Sequence, residues 1–217
     1  RTRKTRIRRL VVRQASEAAM LTATVSGSFH RFMPKIESAV QELAGHGVRL
    51  ASYALGRLHL AAGDAAQARP ALEAPHGEHP EAGRSAMLLS GLLRDKGELG
   101  PAIEALERSL RQGGEFVPAR AALGQLYELV GKLPEAREAL VRVLGLEGEH
   151  PRGPRGYRPD PDDYTALARA SVRQGFVTEA ESALKRAVES GAQGPRLRRA
   201  QALVQAYRGE PGKAATL

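Results

Sequence analysis

Apolar and small residues return along this chain at fixed intervals, and the interval predicts pairs of helices. Units started at Arg49, Gly83, Val117, Pro161 and Pro195 share one pattern. Their seventh residues are Leu55, Leu89, Leu123, Leu167 and Gln201, so only the last unit departs from leucine. Their eighth residues, Gly56, Ser90, Gly124, Ala168 and Ala202, are all small. Their fifteenth residues are Gly63, Gly97, Gly131, Gly175 and Gly209, separated by 34, 34, 44 and 34 residues. The twentieth are Ala68, Ala102, Ala136, Ala180 and Ala214, and the twenty-fourth are Leu72, Leu106, Leu140 and Leu184. Physics accounts for each class. Small residues at eight and twenty let two helices approach, and the leucines fill the seam between them. A glycine at fifteen permits the left-handed stop that ends the first helix. Asp64, Pro101, Pro134 and Thr178 then stand where a second helix begins.

A helical hairpin of this kind cannot bury its apolar face alone and must stack on its neighbours. The combination of a large residue, Leu-Gly or Leu-Ala, then Gly, Ala and a large apolar residue resembles the tetratricopeptide repeat family. The third unit, ALGQLYELVGKLPEAREAL, is the fullest copy, with Tyr127 in the aromatic slot. The first unit carries Pro80 at the closing proline. The resemblance implies an all-α superhelix of about five helix–turn–helix units over residues 49–217. It also implies a scaffold that binds another protein and performs no catalysis. In that family the first helix of each unit lines a groove. Carried onto this chain, the groove residues are Tyr53, Arg57, Met87, Arg94, Gln125, Arg169 and Arg173, with Glu128 among them. Arginine suits carboxylates through paired hydrogen bonds, so the expected partner is an acidic peptide or helix. Arg169→Glu is expected to weaken that binding without unfolding the chain. The alternative is that these arginines are a solvated face. The chain contains no Asn, which sets it apart from the Lys and Asn clamp that some members use for chaperone tails.

Residues 15–48 do not follow the repeat and allow two readings. In one, residues 15–25 and 34–45 are two extra helices, the second carrying Ile36, Val40 and Leu43 on one face. In the other, LTATVSGSF alternates as a strand, followed by a Gly/Ser loop, a helix and a short strand at Val48–Leu50. Residues 24–50 then resemble the opening of nucleoside deoxyribosyltransferase-like domains. That resemblance implies Gly27 and Ser28 facing a phosphate or nucleotide. No parallel sheet and no recognisable carboxylate nucleophile accompany it, so an active enzyme is not expected.

Charge adds a second candidate surface. The formal net charge is +9, but residues 1–14 hold seven bases and no acid. Arg1, Arg3, Lys4, Arg6, Arg8 and Arg9 form a basic arm or linker suited to phosphate or anionic lipid. Residues 15–193 are near neutral, and residues 194–217 hold five bases against Glu210. The alternative function is thus a nucleic-acid- or nucleotide-associated regulator acting through the arm. About ten extra residues enter near 150–160, in EHPRGPRGYRPDPDD. Tyr157 there is either a partner's anchor, or part of a spacer that ends in acidic N-cap residues. His76 and His79 have no further metal ligand in view, and no cofactor motif is present. The absence of cysteine fits a reducing, cytoplasmic setting, and no apolar run reaches membrane-spanning length. Both ends look cut. The fifth unit stops soon after Pro211, leaving an open face that a second copy of the chain or a neighbouring domain would cover.

Overall fold

The computed structural model describes residues 38, 40, 50–73, 80–113, 116–146 and 157–209. Every described helix belongs to the all-α pattern, and no strand occurs among these residues. The basic arm, most of the 15–48 segment, the histidine pair and the second helix of the fifth unit lie outside the described residues. Ser38 and Val40 are helical and Val40 is buried, while Leu50 opens a helix.

The chain divides into two compact units, residues 1–114 and 115–217. Unit one contains α1 (Leu50–Ala61), α2 (Ala65–Glu73), α3 (Pro80–Asp95) and α4 (Leu99–Gly113). Unit two contains α5 (Val117–Leu129), α6 (Leu133–Leu144), α7 (Pro161–Val172), α8 (Val177–Glu189) and α9 (Pro195–Tyr207). The odd-numbered helices are the first helices of the repeats. In unit one α1 packs on α2 and α3, and α3 on α4; in unit two α5 packs on α6 and α7, and α7 on α8 and α9.

The repeat positions do what their chemistry predicts. Ala68, Ala102, Ala136 and Ala180 are all 0% exposed, so a larger side chain at the twentieth place has no room. The leucines Leu72, Leu106, Leu140 and Leu184 are buried beside them. At Gly124 an added methyl carbon meets Leu140 Cγ at 2.7 Å, and at Gly56 it meets Leu72, so the leucine side chain of the second helix rests directly on the glycine of the first. The glycines at the fifteenth place take φ between 75° and 86°. The residue after each of the first four donates its N–H five residues back: Asp64 to His59, Glu98 to Leu93, Lys132 to Tyr127 and Phe176 to Ser171. That bond closes a Schellman turn and supplies a partner for a carbonyl the helix end leaves free. Asp64 caps α2 through the Gln67 N–H at 3.0 Å. Helix α3 begins at Pro80, three residues before the periodic start at Gly83. Proline fits there because the first helical residue needs no N–H donor.

Candidate functional site

In unit one the candidate residues lie on two first helices that pack together. The Arg57 guanidinium sits 5.5 Å from the centre of the Tyr53 ring one turn away on α1. On α3, Met87 is half-buried and its carbonyl accepts the Ser90 hydroxyl at 2.9 Å. Arg94 ends α3 with an exposed guanidinium, 3.5 Å from the adjacent Asp95. Behind them, Arg69 on α2 reaches Glu73 at 2.8 Å and Glu98 at 2.9 Å, which ties α2 to the turn between α3 and α4.

In unit two the first helices carry a ladder of polar contacts. Gln125 Nε2 on α5 donates to Asp163 Oδ1 on α7 at 2.7 Å. The other carboxylate oxygen accepts the Tyr157 hydroxyl at 2.7 Å and the Asp160 N–H at 2.9 Å. Asp163 is fully buried, and burial pushes its carboxyl above the ordinary range despite these three donors. Tyr157 is raised as well, by burial and by the facing Asp163. Tyr157 thus fastens the end of the insertion to its own unit, which matches the spacer reading of that segment. Asp160 is the N-cap of α7, accepting the Asp162 N–H at 2.8 Å, and with Asp163 it completes a capping box.

Further along the same helices, Arg169 Nη2 donates to Glu128 Oε2 at 2.6 Å, and Arg173 Nη1 lies 3.7 Å from Glu128 Oε1. The Glu128 side chain is only 6% exposed, whereas that of Arg173 is 41% exposed. Gln125 and Arg169 therefore have close partners inside the stack, and Arg173, with its longer contact to Glu128, is the candidate of this unit that keeps an exposed side chain. Substitution at Arg169 tests the stack together with the groove, since Arg169→Glu sets a second carboxylate against buried Glu128. Arg196 on α9 meets Asp162 on α7 at 2.6 Å.

The second helices contribute a separate cluster. Arg137 on α6 grips Glu179 on α8 through two bonds of 2.7 Å, and Ser171 donates to the same carboxylate at 2.6 Å. Burial alone raises Glu179, but the Arg137 and Ser171 donors outweigh it and hold the carboxyl below its ordinary value. The Arg137 guanidinium also stacks 4.3 Å from the centre of the Phe176 ring. The repeat pattern gives no sign of this cluster, or of Asp163 as a buried hub. The one available signal for Asp163 is an acid three residues after an N-cap Asp. Among the described residues no three acids or histidines gather as a metal site, and no helix is long and apolar enough to cross a membrane.

Comparison with known proteins agrees with this architecture. The sequence pattern of the tetratricopeptide repeat family matches residues 53–115 and 165–217, more than half of the chain. No curated protein matches it. Among solved structures, MamA from MSR-1 is 22% identical, with TM-score 0.55 over 77% of this chain and 91% of its own. MamA (41-end) from Desulfovibrio magneticus RS-1 is 14% identical, with TM-score 0.59 over 77% of this chain and 89% of its own. A tetratricopeptide repeat protein from Parabacteroides merdae is 16% identical, with TM-score 0.56 over 77% of this chain and 64% of its own. At these identities the likeness is one of fold.

Proposed function

The chain belongs to the tetratricopeptide repeat family, a family of scaffolds for protein–protein interaction, and from that premise we propose that it is a non-enzymatic adaptor that binds an acidic segment of another protein. The observation that carries this reading is the charge on the first helices. Arg94 in unit one and Arg173 in unit two present exposed guanidinium groups near the ends of their helices. Arg198 and Arg199 are exposed on α9 and make no ion pair among the described residues. The acids on the same helices of unit two are already engaged: Glu128 by Arg169, Asp162 by Arg196, and Asp163 by Tyr157 and Gln125. An incoming carboxylate therefore meets arginines that are held only loosely, Arg94 by exposed Asp95 at 3.5 Å and Arg173 by Glu128 at 3.7 Å. Tyr53 and Arg57, stacked on each other, and half-buried Met87 supply the flatter contact area in unit one.

The test uses labelled, Gly/Ser-spaced peptides rich in Asp and Glu, compared with the same peptides carrying Gln. Fluorescence anisotropy is expected to show binding of the acidic set that weakens with salt. Arg173→Glu and Arg94→Glu are each expected to reduce affinity about tenfold or more, the size of one lost charge-assisted contact. Their circular dichroism is expected to match the parent chain. Equal affinity for acidic and Gln peptides overturns the acidic-partner reading.

A further inference from the structure

The first helices of unit two run side by side at one height, and their contacts show it. Arg196 and Asp162, bonded at 2.6 Å, are each the second residue of their unit. Arg173, the thirteenth of its unit, faces Glu128, the twelfth of its own. Two residues beyond the thirteenth place, Gly131, Gly175 and Gly209 end the three helices with the same left-handed backbone. The thirteenth residues of α5, α7 and α9 therefore form one line across the unit: Leu129, Arg173, Tyr207.

That line has a composition the fold does not require. Leu129 and Tyr207 are each 52% exposed, whereas the other large apolar residues of these helices are buried or half-buried. A single exposed apolar side chain needs no explanation, but two at one level on either side of a solvent-facing guanidinium form a pattern. Among the described residues the acid beside Arg173 is Glu128, whose carboxylate is buried and holds Arg169 at 2.6 Å. The middle of the line is cationic. Packed helices lie about 8–10 Å apart and an extended chain advances about 3.3 Å per residue, so one helix step corresponds to roughly three residues.

We propose that Leu129, Arg173 and Tyr207 bind an extended peptide in which an acidic residue is flanked, three residues to each side, by large apolar residues. The proposal rests on the acidic-segment reading and adds to it two anchors and a spacing. The acid pairs with the Arg173 guanidinium. The flanking side chains cover Leu129 and Tyr207 and take water away from that pair, which strengthens it.

The probe is a labelled Gly/Ser peptide with a central Glu, Leu three residues before it and Phe three residues after it, titrated by anisotropy into the full chain. Changing Glu to Gln, or moving the apolar residues to one residue from the Glu, is expected to weaken binding about tenfold. Leu129→Ser and Tyr207→Ser are each expected to weaken it about fivefold, with an unchanged helical spectrum and melting temperature. Equal affinity for both spacings overturns the proposal. So does a loss with Arg173→Glu that neither Leu129→Ser nor Tyr207→Ser reproduces; that result leaves the acidic-partner reading standing. Binding of the Asp/Glu-rich peptides without binding of the spaced probe has the same meaning. Sedimentation of the parent and the two Ser variants tests the other occupant. Self-association that both substitutions abolish makes the line a contact between copies of this chain and overturns the peptide assignment.

Discussion

Glu179 shows how a half-buried carboxylate stays charged in this chain. Its loss of water is outweighed by two bonds from Arg137 and one from Ser171. Because its folded pKa lies below the ordinary value of 4.5, the cluster's contribution is present above that pH and is lost as pH falls through the folded value. Asp163 has the opposite sign. Its carboxyl is raised above 3.8, so its contribution is full below that pH and declines as pH rises through the folded value. Glu179→Gln is therefore expected to lower stability at neutral pH and to flatten the loss between about pH 5 and pH 3. Urea unfolding midpoints at several pH values read this directly; an unchanged acid slope would remove Glu179 from the account. Neither carboxylate's role is visible in the sequence. Glu179 reads there as an acid in the first turn of a helix, and its decisive partner Arg137 stands on another hairpin.

At the scale of the element, start and stop signals are legible and their work is local. The aspartates after the insertion are expected as N-cap residues, and Asp160 with Asp163 closes a capping box on α7. Asp160→Ala is expected to cost about 1 kcal/mol, the usual value of a lost N-cap. The loss appears as a lower melting temperature and faster amide exchange at Asp162, while exchange in α5 is unchanged. Fast exchange spreading to α5 would instead mean that the cap transmits through Asp163 and Gln125. The glycine stops are legible for a simple reason: glycine takes that backbone conformation at no steric cost, whereas most side chains are strained there. The three extra residues at the start of α3 were not, because Pro80 serves equally well as the end of one unit or the opening of the next helix.

For the whole molecule, the relevant fact is that unit two has a core of its own. Leu140, Leu144, Leu167, Val172, Ala180, Leu184, Leu197 and Val204 form one buried cluster drawn from α6, α7, α8 and α9. Repeat proteins gain stability mainly from neighbouring repeats, so a segment with three adjacent first helices has the contacts it needs. Residues 115–217 produced alone are expected to be helical and to melt in one cooperative step. A broad, non-cooperative melt would show that this core depends on residues outside the unit.

The sequence by itself determined the repeat: the family, the all-α class, and the places of the alanines, leucines and glycines that close each hairpin. It did so because those positions answer to neighbours within one period, where spacing along the chain and proximity in space are the same thing. The tertiary structure alone decided what the charged residues of unit two do. It gave Arg169 to Glu128, gave Gln125 and Tyr157 to Asp163, and left Arg173 exposed with a longer contact to Glu128. Arg169 and Gln125 reach across helices to partners about forty residues away, chosen by distance and burial that no periodicity encodes.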